Sequence, residues 1–118
     1  MITPEPRSFA DHWIEAWNAR DVEAVLAHYA DDVVFTSPTA LRVLPQSGGT
    51  IRGKDALRGY WTLALKGNPD LQFELLAVYA GIDTIALHYR NQLGGLVNEV
   101  LTFQDGLVTV GHATHLQH

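Results

Sequence analysis

Apolar positions follow two different periods along the chain. Over its first half they recur every three or four residues. Over its second half they alternate. Phe9, Trp13, Ala16 and Trp17 share one side of a predicted helix that runs from about Glu5 to Ala19. Val22, Val25, Leu26 and Tyr29 make a similar stripe on a second, shorter helix, with Asp21 placed to cap it. So short a link predicts that the two pack as a hairpin. Asp31-Asp32 then introduces Val33-Val34-Phe35-Thr36, a β-branched and aromatic strand ended by Pro38. Leu57, Trp61, Ala64 and Leu65 mark a third helix from Lys54 to Lys66, widened by Tyr60 and Leu63 and stopped by Gly67-Asn68-Pro69. No period is visible from Pro38 to about Gly53, so that stretch reads as a loop, either a mobile lid or disordered.

From Leu71 onward the pattern is that of strands. Phe73, Leu75, Ala77 and Tyr79 alternate with Gln72, Glu74, Leu76 and Val78, and turns follow at Gly81-Ile82-Asp83, Gly94-Gly95 and Asp105-Gly106. Helix, helix, strand, helix and then a meander predict a single α+β domain over residues 1–118, with the helices on one face of a mostly antiparallel sheet. Both sheet faces carry apolar residues: Ala86, Leu101 and Phe103 on one, Leu87, Tyr89 and Val100 on the other. Three helices can cover only one face. The other predicts a partner, most simply a second copy of the chain.

Composition removes several classes of function. The 118 residues suffice for one modest core. Eight Lys and Arg against 13 Asp and Glu give a net charge of -5, and the positive residues are scattered. No basic stripe is available, so neither nucleic acid nor an anionic membrane is an expected partner. The absence of cysteine removes disulfides, thiolate catalysis and cysteine metal sites. MITPEPRSF contains no apolar run to serve as a signal peptide, and no segment is long and apolar enough to span a bilayer. The cytoplasm is the expected location.

Three runs carry a resemblance. HWIEAWNARDVEAVLAHYADDVVFTSP, IRGKDALRGYW and EVLTFQDGLVTVGHATH occur in this order over nearly the whole chain. They resemble the nuclear transport factor 2-like superfamily, in particular its polyketide-cyclase-like (SnoaL-like) and ketosteroid-isomerase-like branches. The resemblance implies a cone-like curved sheet wrapped around three helices, a nuclear transport factor 2-like or cystatin-like roll. It implies an open end, a small-molecule pocket inside and, often, a dimer through the outer sheet face. The fold hosts isomerases, dehydratases, epoxide hydrolases, cyclases and non-catalytic binders, so it does not by itself assign an activity. The isomerase mechanism needs a tyrosine donor on the first helix, a carboxylate base near the end of the first strand and a carboxylic acid on the penultimate strand. The matching positions are Trp13, Ser37 and Glu99. With two of three parts absent, steroid isomerisation is not expected.

The candidate site follows from the strand register. A two-residue turn at Gly94-Gly95 puts Arg90 opposite Glu99 and His88 opposite Leu101. The resemblance turns the Glu99 face into the cone. Glu99, Arg90 and His88 then share a cavity walled by Trp13, Trp17, Tyr29, Phe35 and Trp61, with Leu101 and Phe103 on the same face. Arg90 would hold Glu99 ionised, as suits a base, a water-orienting group or an anchor for a polar substrate. The alternative is an exposed ion pair contributing about 0.2–1 kcal/mol. His112 and His115 lie three positions apart on a strand, point to opposite sides and cannot chelate one metal together. A bulge after Asp105-Gly106 would bring Thr109, Gly111 and His115 to the Glu99 face; a plain turn would bring Val108, Val110 and His112. The resemblance favours the bulge, and the second proton-handling group is then His88 or His115. His12 and His28 are expected to be solvated. No phosphate loop, dinucleotide fingerprint or nucleophile elbow is present, and neither metal nor cofactor is expected. The sequence thus points to a pocket for a small apolar organic molecule, with cofactor-free acid–base chemistry where it is catalytic. The alternative is a non-catalytic ligand-binding or dimeric assembly module.

Overall fold

Proline starts two of the helices and a carboxylate, an amide or a hydroxyl settles most of their ends. In the computed structural model, which describes residues 3–117, α1 spans Pro6–Asn18, and the Glu5 carboxylate accepts from the Arg7 and Ser8 N–H groups. Its inward stripe is Phe9, Ala10, Trp13, Ile14, Ala16 and Trp17. Helix α2 (Val22–Leu26) is capped by Asp21, which accepts from Ala24 N–H. Arg20 makes the corner between them with a positive φ of 61°.

The segment after the first strand is ordered, which corrects the expected loop. Ser37 caps a short helix α3 (Pro38–Val43) by accepting from Thr39 N–H. A 3-10 turn at Pro45–Ser47 and a three-residue strand, β2 (Thr50–Arg52), follow. Local side-chain caps built these elements; they have no apolar period long enough to see. Helix α4 (Lys54–Gly67) then buries Leu57, Tyr60, Trp61 and Leu65.

The remaining strands are β1 (Tyr29–Thr36), β3 (Glu74–Gly81), β4 (Thr84–Arg90), β5 (Leu96–Gln104) and β6 (Leu107–His115). They form one six-stranded sheet in the order β2-β1-β6-β5-β4-β3. Only the β1–β6 pair is parallel; the rest are antiparallel. The sheet is mixed and does not close on itself. Its curved inner face takes α1 against β3 and α4 against β1. No described helix is long and apolar enough to cross a membrane.

Register is where the expectation fails. Asn91 to Gly95 form a five-residue connection rather than a two-residue turn. The Asn91 side-chain oxygen accepts from the N–H groups of Leu93 and Gly95 and shapes it. Arg90 therefore lies opposite Leu96, and Glu99 lies opposite Leu87. An offset of three residues is odd, so it exchanges the faces of one strand relative to the other. Leu87 and Tyr89 join Leu101 and Phe103 inside, while Ala86 and Val100 face out. The Asp105-Gly106 turn is a two-residue turn with both residues at positive φ. A bulge follows it, so Val108 points inward and then Gly111, Ala113 and His115 do. Of the bulged alternative Gly111 and His115 face inward but Thr109 does not; of the plain-turn alternative only Val108 does.

Candidate functional site

Glu99 sits in the middle of the inner sheet face at 5% exposure. On β5 its neighbours are Val97 and Leu101, and across the sheet Leu87 and Ala113. This surrounding is almost wholly apolar. The Tyr89 hydroxyl donates to Oε1 at 3.1 Å, and Oε2 has no partner among the described residues. Burial raises the Glu99 pKa from 4.5 to about 7, against the smaller downward pull of the Tyr89 hydrogen bond. That replaces the expected Arg90-held carboxylate with a carboxyl poised near neutrality.

Arg90 and His88 are not brought to Glu99. Arg90 lies at the end of β4, facing β3, and pairs with Glu74 at 3.0 Å in an exposed ion pair. His88 points to the outer face, where Nδ1 lies 2.9 Å from Asn98 Oδ1. Both displacements come from the longer β4–β5 connection. His115 does face inward, at the cavity rim and one diagonal step from Glu99. Burial lowers its pKa, and the nearby Arg42 charge lowers it further, so the neutral imidazole is favoured. His112 faces out, with Nδ1 2.6 Å from Thr36 Oγ1. His28 is half-buried rather than solvated, packed edge-on against Phe9 and His12.

Above Glu99 lies a cavity of about 340 Å³. Trp13, Trp17, Phe35 and Trp61 line it, as expected. Tyr29, Leu101 and Phe103 are buried behind that lining as core. The Tyr29 hydroxyl accepts from Trp13 Nε1 at 3.0 Å, which fixes the indole against the sheet. Trp17 meets Trp61 edge-on at 5.0 Å and Tyr29 meets Trp61 at 5.2 Å, so the wall is an aromatic mesh. Burial first, then the Glu99 charge, keeps the hydroxyls of Tyr29 and Tyr89 protonated. Two further polar atoms of the lining are buried without a partner among the described residues: Trp17 Nε1 and Gln92 Oε1. No group of three or more metal-ligating side chains comes together among the described residues.

Sequence reasoning missed Tyr89, Tyr60, Phe73, Gln92 and Arg42 as cavity residues. A signal for Tyr89 was present: Ile85, Leu87 and Tyr89 are apolar while Ala86, His88 and Arg90 are smaller or polar. Reading β4 alone by that alternation puts Tyr89 inside. Phe73 is placed by a clip that no pattern announces. The Asn18 amide donates to Phe73 O at 2.9 Å and accepts from Phe73 N at 2.8 Å. Arg42 comes from α3, within the stretch that showed no period.

An open curved sheet, helices on its concave side and an aromatic hollow with one buried carboxyl define a cup-shaped domain of the nuclear transport factor 2-like kind. The chain belongs to the SnoaL-like domain family, whose model matches residues 10–111. A SnoaL-like protein of unknown function from Burkholderia thailandensis is 39% identical, with a TM-score of 0.89 over 96% of this chain and 100% of that one. A protein from Sinorhizobium meliloti provisionally assigned as a polyketide cyclase is 16% identical, with a TM-score of 0.75 over 91% of this chain and 94% of that one. A protein from Kribbella flavida provisionally assigned as a ketosteroid isomerase is 22% identical, with a TM-score of 0.72 over 95% of this chain and 78% of that one. The latter two are similar in fold. No curated protein matches the chain.

Proposed function

We propose that this protein binds a small, largely apolar organic molecule in the cavity above Glu99 and uses that carboxyl for proton transfer without a cofactor. One observation carries the reading. Three buried polar atoms of the lining, Glu99 Oε2, Trp17 Nε1 and Gln92 Oε1, have no partner among the described residues, and the hollow beside them is large enough for a ligand. A ligand with polar groups could satisfy them. Glu99, with its pKa near 7, can give or take a proton near neutral pH. Tyr89 orients it, and His115 is the second group able to accept a proton. The Ser37 hydroxyl accepts from Thr39 N–H as a helix cap and is hydrogen-bonded to Tyr60, so a nucleophilic role has no support. We place the reaction type among isomerase, dehydratase, cyclase or hydrolase chemistries that need only acid–base groups.

The outer sheet face supports a homodimer. Ala86, Val100 and Val110 are half-buried there, and Leu76 and Tyr79 are exposed beside them. A non-catalytic binding or assembly module would share this face but has no use for a buried carboxyl with a raised pKa.

The chain has three tryptophans, and all three line the cavity. Their indole N–H signals in a 15N-labelled sample therefore report occupancy directly. Coumarin and 2-tetralone, titrated near pH 7, should move the Trp17 and Trp61 signals, and Glu99→Gln should weaken binding severalfold. Deuterium uptake beside the tetralone carbonyl should be faster with the native protein than with Glu99→Gln. Unmoved indoles across a panel of apolar ketones and lactones would refute the binding site. Equal exchange by both proteins would refute the proton-transfer role.

A further inference from the structure

We propose that the ligand is an anion: an apolar body bearing one carboxylate or similar oxyanion, held at the rim of the cavity by Arg42. This rests on the small-molecule reading above. The lining contains one guanidinium, Arg42, and one carboxyl, Glu99. They stand on neighbouring levels of the hollow, with Arg42 nearer the mouth. Along the facing strands, Leu101–Gly111 is the closed end, Glu99–Ala113 the next level and Val97–His115 the level nearest the Asn91–Gly95 rim. Each level is about 7 Å from the next, two residues along a strand. Arg42, in the last turn of α3, adds its charge at the His115 level.

Among the described residues Arg42 has no ion-pair partner. Four of the other five arginines have acceptors. Arg7 pairs with Asp11, Arg58 with Glu23 and Asp55, and Arg90 with Glu74. Arg20 donates to the carbonyls of Leu65, Asn68 and Pro69 at the end of α4. Arg52 is exposed on the edge strand β2, away from the cavity. Yet 13 acidic residues are available in a chain of net charge -5, and none lies within ion-pair reach of Arg42 among the described residues. Arg42 is exposed at the cavity mouth, and its guanidinium, with no ion-pair partner among the described residues, matches a carboxylate bidentately. Its charge already acts inward, disfavouring the protonated form of His115 and easing ionisation of Tyr60. Below its pKa of about 7 Glu99 is mostly protonated, so at pH 6 it does not oppose an anion.

Two dyes test this with one ring system. 8-Anilinonaphthalene-1-sulfonate carries an anionic group that N-phenyl-1-naphthylamine lacks. Each is titrated near pH 6 into native protein, Arg42→Gln and, as a control on an exposed cation outside the cavity, Arg90→Gln. Dye fluorescence gives affinity and the indole N–H signals give location. The sulfonate should bind the cavity more tightly than the neutral dye. Arg42→Gln should weaken it about tenfold or more while leaving the neutral dye unchanged, as expected for losing charged hydrogen bonds. Arg90→Gln should change neither. Equal affinities for the two dyes, no effect of Arg42→Gln, or an equal loss in Arg90→Gln would overturn the anion assignment while leaving the pocket intact. If neither dye moves the indole signals, the pocket reading falls with it.

Discussion

Replacing Glu99 by glutamine keeps the side chain's shape and removes its ionisation. In the folded chain burial raises the Glu99 pKa from 4.5 to about 7, with the Tyr89 hydroxyl opposing only in part. Between those two values the folded chain keeps a proton that the unfolded chain has released. Stability conferred through Glu99 is therefore fully present below the unfolded pKa and falls as pH rises through the folded one. Each tenfold ratio of ionisation constants corresponds to about 1.4 kcal/mol, so the whole fall is about 3 kcal/mol. That is a large part of the about 5–15 kcal/mol typical of a domain. The assay is urea unfolding of native and Glu99→Gln protein, side by side, from pH 4 to pH 8.5. Other groups titrate in both proteins, so the difference isolates Glu99. The native protein should lose about 3 kcal/mol relative to the variant across this range, or roughly 10 °C in a thermal scan. A flat difference, or one that grows in favour of the native protein, would show that Glu99 is hydrated or paired and would sink the poised-carboxyl argument.

Further outcomes follow from the same geometry. Tyr89→Phe removes the hydrogen bond that holds the Glu99 pKa down, so the midpoint of the native pH transition should move upward, readable in the same urea series. Gly111→Ala should destabilise by about 1–3 kcal/mol, since a Cβ there would stand 3.1 Å from Leu101 Cδ2 and 3.2 Å from Phe35 Cδ1. Full native stability in that variant would mean the closed end of the cup yields. Asn18→Ala frees both backbone groups of Phe73 and should cost about 1–3 kcal/mol by chemical denaturation. It should also speed hydrogen exchange at Phe73.

The fold was readable because its evidence is local and repeated. Trp13, Trp17 and Trp61 announce their helix faces, and Asp105-Gly106 announces its turn. The site was readable only where it depended on one strand. Glu99 and His115 were found to face inward through the resemblance. The partners of Glu99 were not, because they depend on how many residues the β4–β5 connection uses. Gly94-Gly95 looks like a complete turn, but the Asn91 side chain supplies the organising hydrogen bonds from outside it. Counting from the wrong pair cost the register, put Arg90 in place of Tyr89 and reversed the inferred charge state of Glu99. Arg42 escaped for another reason: α3 is held by a capping hydroxyl and two prolines nearby rather than by an apolar stripe.

The parallel contact between β1 and β6 also shapes how the chain must assemble. Strand β6, the sixth in chain order, inserts between β1, the first, and the rest of the meander. Until Leu107 onward has emerged, β1–β2 and β3–β5 are separate ribbons with no shared ladder. Closure then spans most of the chain, a long-range step that favours slow, late and cooperative acquisition of structure. A nascent chain arrested before β6 should be protease-sensitive throughout, and one released beyond it should become resistant in a single step.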